Sequence, residues 1–290
     1  MSSLERLVQK SIYILREVKA QFKNPAVLWS TGKDSTSCIN LIREAFYGEV
    51  PWPVVHLDTG FKFREIYEFR DRLAEEWSLN LIVARSPYYG KVSPKTHSCE
   101  ECCTLLKTEA LKWAIREYGF DSIIVSIRRD EHAIRSMERY FSPRDRDFKW
   151  RVVRVQEKQS GDSGLEALQP VELSGWNLYE SDYGPECSHV RVHPILHWTE
   201  EMVWRYVEDR GLPYNPLYRA DYVEKTYGLK NRRYRSLGCK FCTVPIVSES
   251  STVKEFIEEI RKSKLEERAG RRQDKESAYV MQKLRSLGYM

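Results

Sequence analysis

The chain has 290 residues, 41% of them hydrophobic and 31% charged, enough to bury one large core or a core with an appendage. Its net charge of +5 permits a polyanionic partner without requiring one. No run of about 18 apolar residues occurs, and the opening stretch MSSLERLVQKSIYILREVKAQF carries charges through its apolar positions, so neither a membrane span nor a secretory signal is expected and the protein is placed in the cytoplasm.

The predicted elements alternate. LERLVQKSIYILREVKAQF sets Leu4, Leu7, Val8, Ile12, Leu15 and Val18 at helical spacing, and PAVLWS follows as a short buried strand. SCINLIREAF returns to the helical period. VVHLD at 54–58 is a second strand, EIYEFRDRLAEEW a helix, NLIVARS a third strand, TLLKTEALKWAIREYG a helix and SIIVSI at 122–127 a fourth strand. Near-continuous apolar strands separated by amphipathic helices predict an α/β fold with an open, mostly parallel sheet covered on both faces. The segment 140–190 is rich in turn residues and reads as an extended loop or β excursion, and TEEMVWRYVEDRG at 199–211 as a helix with a Thr cap and a Gly stop. The expected division is a nucleotide-handling body over 1–247 and a charged helical tail over 248–290.

The loop LWSTGKDSTSC sits where the first strand turns into the second helix. In a parallel sheet, ligands gather at the carboxyl ends of strands, and such a turn aims backbone N–H groups and a helix dipole at an anion. Ser30, Gly32, Ser35 and Thr36 offer hydroxyls and close backbone approach, and Lys33 a positive charge. An ordinary capped turn is the competing reading, since the Walker spacing GxxxxGK[ST] is absent.

STGKDST resembles the SGGKDS pyrophosphate loop of N-type ATP pyrophosphatases, which cleave ATP between the α and β phosphates. PWPVVHLDTGFKFREIYEFRDRLAEEW, IRRDEHAIRSMERYFSPRDRDFKW, RSLGC and EERAGRRQDKESAYVMQKLRSLGYM resemble the small subunit of bacterial ATP sulfurylase and its PAPS reductase relatives, over nearly the whole chain. The resemblance implies that Ser30, Gly32, Lys33, Asp34 and Ser35 hold the pyrophosphate, with Thr31 where many relatives have glycine. It implies further that Asp58, Thr59 and Gly60 lie beside the nucleotide. Arg128, Arg129, Asp130 and Glu131, after the fourth strand, would reach the phosphates and a Mg²⁺ ion. Nucleotidyl transfer needs positioning and charge neutralisation more than covalent chemistry, so Lys33, Asp34 and the Arg128–Arg129 pair are the candidate catalytic set.

Seven cysteines, clustered as CEECC and GCKFC, read as metal ligands or redox thiols rather than a disulfide framework. Cys102, Cys103, Cys239 and Cys242 resemble the CC…CxxC ligands of a 4Fe–4S cluster in assimilatory APS reductases. Zinc is the alternative, because Cys99 with Cys102 and Cys239 with Cys242 form two CxxC knuckles. The pairs are expected to meet at the mouth of the nucleotide cleft. Cys99 competes with Cys103 for the fourth ligand position, or is left to carry a persulfide. Cys38 reads as core, Cys187 as a weak site candidate near His189, and His193 and His197 as structural. No cysteine follows Cys242, unlike the C-terminal motif of APS reductases, which disfavours reduction through that motif.

Two enzyme readings follow. The first is sulfur insertion into nucleic acid, as in DNA phosphorothioation, with a 4Fe–4S cluster and a cysteine desulfurase donor. It is favoured because a cluster has no evident task in redox-neutral sulfate adenylylation. The second is sulfate adenylylation beside a GTPase large subunit. A noncatalytic nucleotide-binding partner is a third possibility. The basic clusters KNRRYR (230–235) and RAGRR (268–272) could meet nucleic acid, a partner subunit or solvent, and an oligomer is compatible with the chain.

Overall fold

The computed structural model describes residues 2–131, 135, 138–150, 183, 185–262 and 267. The apolar runs form β1 (Pro25–Leu28), β2 (Val54–Asp58), β3 (Leu81–Arg85), β4 (Ser122–Ile124), β5 (Phe141–Arg144) and β6 (His189–Val192). They make one sheet in the order β3-β2-β1-β4-β6-β5, parallel except for β5, which pairs antiparallel with β6 at the edge. An edge strand can hold Pro143, whose missing N–H would break a central ladder. The expected α/β fold is therefore the observed one.

Helices cover both faces. α1 (Ser3–Gln21), α2 (Lys33–Ala45) and α3 (Arg64–Glu76) alternate with the first strands, and α4 (Cys99–Cys103) and α5 (Glu109–Tyr118) precede β4. α6 (Glu200–Asp209) and α7 (Ala220–Tyr227) follow β6. β7 (Arg232–Arg233) and β8 (Ile246–Val247) form a separate two-stranded ribbon, and α8 (Val253–Lys262) comes after it. Successive strand residues point to opposite faces: Val27 and Val54 join the core with α1, α2 and α6, while Ala26 and Val55 join the core with Leu111, Ala114 and Ile115 of α5. α1 buries Val8, Ile12, Leu15 and Val18 along one stripe, and the Ser2 hydroxyl accepts from the Glu5 N–H at its start.

Three local expectations change. The helix read continuously over 104–119 begins instead as α4, closed by a capping box between Ser98 and Glu101. It passes through a π-helical turn at Thr104–Thr108 before α5. Such a turn carries one extra residue, so it re-aims the side chains on either side of it. In the segment 140–190, β5 and β6 flank the turn-rich stretch and extend the sheet; residues 151–182 lie outside the described residues. Of the tail, α8 buries Phe256 and Ile257 in the main core, Phe256 packing on Trp204 with ring centroids 4.8 Å apart. Of the remainder, only Glu267 is described, so RAGRR lies outside the described residues.

Candidate active site

Sheet order reverses at β1, which has β2 on one side and β4 on the other. Loops leaving the carboxyl ends of β1 and β4 diverge there and open a crevice, the usual ligand position in this architecture. A cleft of about 230 Å³ lies at that point, lined on one side by Ser30, Gly32, Asp34 and Ser35 and on the other by Lys62, Lys107 and Cys239. Val125, Ser126 and Ile127, beyond β4, form part of its wall.

The loop after β1 is held open by its own side chains. Ser30 Oγ and Ser35 Oγ lie 3.0 Å apart, and Ser35 Oγ donates to the Gly32 carbonyl at 3.2 Å. Thr31 adopts φ 65°, the left-handed region that glycine favours, and its hydroxyl donates to the Ser30 carbonyl at 2.6 Å. This is the position the resemblance marks as glycine in relatives. α2 starts at Lys33 with Gly32 at its N-cap and no side-chain cap bond, and Gly32, Asp34 and Ser35 of this start line the cleft. The Lys33 N–H donates to Tyr218 Oη at 3.0 Å.

Beneath the loop is a buried charge network. Lys33 Nζ bonds Asp34 at 3.1 Å, approaches Glu200 at 3.9 Å and bonds Glu267. Arg128 Nε donates to Asp34 at 2.7 Å and Nη1 to Asp130 at 2.5 Å, while Nη2 meets Glu267. Arg235 pairs with Glu200 at 2.7 Å, and the Glu200 N–H donates to Asp130 at 2.9 Å. Burial alone would strip Lys33 of its proton, but Asp34, Glu267 and Glu200 reverse that and raise its pKa. Burial likewise disfavours the Asp34 carboxylate, and Lys33 and Arg128 overcome it, holding its pKa below the ordinary value. Glu267 is different: burial pushes its carboxyl up to about 7 although Lys33 and Arg128 pull it down.

Several expected site residues are engaged elsewhere. Asp58 accepts from the Gly60 N–H at 2.9 Å, Tyr67 Oη at 2.9 Å and Arg85 Nε at 3.0 Å, so its carboxylate shapes the turn after β2. None of Asp58, Thr59 and Gly60 lines the cleft. Arg129 faces His197, 2.8 Å from its Nε2, and the Glu138 carbonyl at 3.0 Å. Asp130 ties Arg128 to α6, whereas Glu131 does line the cleft and is paired there with Arg135. In the basic cluster 230–235, Arg233 is buried against Glu259 at 2.9 Å and Arg235 against Glu200, so two of its charges are turned inward.

The cysteine segments meet as expected. Cys99 Sγ lies 3.1 Å from Cys242 Sγ, and Cys239 Sγ hydrogen-bonds Thr59 Oγ1 at 3.2 Å. Burial, then Cys103, Cys242 and Cys239, push the Cys102 thiol up to about 11. Hydrogen bonds with Cys103 and Cys242 push Cys99 higher still. Among the described residues, no three His, Cys, Asp or Glu side chains are arranged to hold one metal ion. Two thiolates on tetrahedral zinc stand about 3.8 Å apart for Zn–S bonds of about 2.3 Å, wider than the Cys99–Cys242 contact. Cys38 is core, its thiol pushed up to about 12 by burial. Cys187 donates to the His189 carbonyl at 3.5 Å. His193 bonds the Arg139 carbonyl at 2.7 Å, and His197 is held between Arg129 and Tyr140.

Local reading of the sequence does not single out Lys62, Lys107, Glu200, Tyr218, Arg235 or Glu267 for the site. Their partners lie far along the chain, as with Lys33 and Glu267. Lys62, Arg235 and Glu267 fall in stretches that the resemblance had marked, PWPVVHLDTGFKFREIYEFRDRLAEEW, RSLGC and EERAGRRQ, but it did not assign them to the site.

A family model described as the phosphoadenosine phosphosulfate reductase domain matches residues 24–245. The chain belongs to that family. Within the PAPS reductase domain family, it is 36% identical over 313 aligned positions to "Sulfate adenylyltransferase subunit 2" of Pseudoalteromonas translucida, covering 100% of this chain and 99% of that one. The protein of the same name from Shigella dysenteriae is 36% identical over 313 positions, covering 100% and 98%. Among solved structures, PAPS reductase from Candida auris superposes with TM-score 0.51 at 16% identity, over 84% of this chain and 98% of that one. FMN adenylyltransferase of Candida glabrata gives 0.53 at 15% identity, over 83% and 63%. These two likenesses establish the shared α/β fold.

Proposed function

We propose that this chain is the adenylyl-transferring small subunit of a sulfate adenylyltransferase, making adenylyl sulfate and pyrophosphate from ATP and sulfate. The end-to-end match to proteins named sulfate adenylyltransferase subunit 2 carries this reading. The cleft is compatible with it: ATP phosphates at the Ser30–Ser35 loop would leave the α-phosphorus open to attack from the Lys62 side. A sulfate oxygen forms the new bond to that phosphorus, and the bond to the β-phosphate oxygen breaks as pyrophosphate leaves. Lys33 and the α2 N-terminus stabilise the charge that grows on the leaving group. The name of the relatives implies a second subunit, and the sequence resemblance makes that partner a GTPase. This reading replaces sulfur insertion into nucleic acid as the favoured one, because the comparisons lend no support to phosphorothioation or to a cysteine desulfurase partner.

The cysteine cluster is the one feature favouring the sulfur-insertion reading. In kind, its thiols suit iron–sulfur or zinc, but the arrangement does not present three donors to one ion among the described residues, so no step is assigned to a metal there. The acidic groups near Arg128 likewise offer no such set, and Mg²⁺ would arrive with the nucleotide phosphates. The test is pyrophosphate release from ATP by the chain together with its partner subunit. Release that depends on sulfate is expected; ATP-driven transfer of persulfide sulfur to DNA, with no response to sulfate, would overturn the reading.

A further inference from the structure

The start of α2 is capped from a distant part of the chain. Gly32 has no side chain to offer, and Tyr218, 185 positions away, reaches the same place: its Oη accepts the Lys33 N–H at 3.0 Å and lies 3.5 Å from where a Gly32 Cβ would stand. The phenol is held there firmly. Tyr218 is 1% exposed, its ring meets Trp204 edge-on with centroids 5.1 Å apart, and it ends a short turn, Pro216–Tyr218, that Asn215 caps by accepting the Leu217 N–H at 3.1 Å. Asn215 is buried in turn and donates to the Glu65 carbonyl at 3.0 Å. A phenol can accept a hydrogen bond and donate one. The Lys33 N–H uses the accepting side, and among the described residues no hydrogen bond takes the Tyr218 proton, although the residue lines the cleft. Asp34 and Glu267 act on the phenol through their charges, but both carboxylates end on Lys33 and Arg128. Burial raises the pKa of Tyr218, so the proton stays on the oxygen.

We infer that Tyr218 is a ligand of the nucleotide's phosphates, its Oη donating to a phosphate oxygen at the Ser30–Ser35 loop while it accepts from the Lys33 N–H. The inference rests on the sulfate adenylylation reading, and it adds to that reading a residue that touches the substrate. A hydroxyl that already accepts from an N–H is polarised into a better donor, so Tyr218 passes the polarity of the α2 start on to the anion. Its bond is neutral. Lys33 and Arg128 act on a phosphate by charge, which is shared with the carboxylates around them, whereas a phenol fixed by Trp204 and Asn215 acts by direction and holds the leaving pyrophosphate in one orientation.

The experiment measures equilibrium binding of inorganic pyrophosphate to the full chain, with stability followed beside it by urea titration. Tyr218→Phe, which removes the hydroxyl and keeps the ring, is expected to weaken pyrophosphate about tenfold or more. Unchanged affinity overturns the inference, as does a wild-type chain that binds no pyrophosphate. Replacing Tyr218 by 3-fluorotyrosine separates donation from capping, because the more acidic hydroxyl donates better and accepts worse at nearly the same size. Studied at a pH where that hydroxyl is protonated, it is expected to hold or tighten pyrophosphate even if the urea midpoint falls. Affinity that drops together with the midpoint makes Tyr218 a cap of α2 alone and overturns the inference. Sulfate-dependent pyrophosphate release by the chain with its partner subunit separates the two levels. A wild-type chain that binds pyrophosphate through Tyr218 but releases none in response to sulfate defeats the functional reading alone. A Tyr218→Phe enzyme that turns over with an unchanged kcat/KM for ATP defeats the phosphate contact alone.

Discussion

Among the described residues, Thr31 is the β-branched one held in the left-handed region. A β-branched residue in the left-handed region costs about 1–2 kcal/mol, and here the Thr31 hydroxyl recovers part of that through the Ser30 carbonyl. Thr31→Gly is expected to keep or raise the melting temperature, because glycine takes φ 65° without strain. Thr31→Val, which keeps the branching and loses the bond, should lower stability by about 1 kcal/mol in a urea titration. Lys33 is a different case, since its ammonium belongs to the buried network and, under the proposed function, also serves the pyrophosphate. Lys33→Met is expected to reduce pyrophosphate release at least a hundredfold, roughly 2.7 kcal/mol of transition-state stabilisation. Retained turnover would remove Lys33 from the chemistry. The placement of these two residues was legible because it is local: a strand end, a small-residue turn and a helix start lie within a few positions of each other. The partners of Asp58 and Arg129 were not legible, for the converse reason. Their sequence setting matches a strand end, but Tyr67 and Arg85 claim one side chain and His197 the other.

At the scale of elements, a π-helical turn follows α4, whose Cys102 and Cys103 are buried while Cys99 lies against Cys242. The alternation of apolar runs gave away the first four parallel strands but not β6, and nothing in CEECCTLLK announces a register change within the helix. The reason is physical: a π turn has the composition of an α turn and is selected by what it packs against. Because the Cys99 and Cys242 sulfurs are 3.1 Å apart, mild oxidation with diamide should join them with little backbone movement. Peptide mapping without reductant is expected to find that single bridge, and Cys242→Ser to abolish it. A bridge involving Cys38 instead would contradict the packing, since its thiol is fully buried in the core.

Three histidines sit within the fold as neutral rings. His56, His189 and His193 are at most 1% exposed, and burial lowers the pKa of each, that of His193 to about 4. The unfolded chain binds the His193 proton below its ordinary 6.5, the folded chain only near 4. Its contribution is therefore complete above pH 6.5 and is lost progressively down to about 4, some 3 kcal/mol in all. The melting temperature is expected to fall steeply over that window, and His193→Gln to flatten the fall. A profile unchanged in the variant would show that the ring titrates freely. Composition indicated the size and class of this molecule, and periodicity its layers. The charge network was hidden, because the pairing of Lys33 with Glu267 or of Arg235 with Glu200 is decided by tertiary neighbours and leaves no spacing to read.

Within the far wall of the cleft, the segment after β2 is joined to the cysteine segment by the Lys240 N–H on the Phe61 carbonyl at 2.8 Å and the pairing of Lys62 with Cys239. These partners are nearly 180 positions apart in the chain. A ribosome adding about 5–20 residues per second separates them by roughly 10–40 seconds of synthesis. Through that interval the nascent protein holds a finished phosphate loop and an unfinished cleft, with the carboxyl ends of β1 and β2 open to water. Under the proposed function, competence to hold a nucleotide is thus a late event in the life of each molecule, and protection of the loop after β1 by ATP would report that the last wall has arrived.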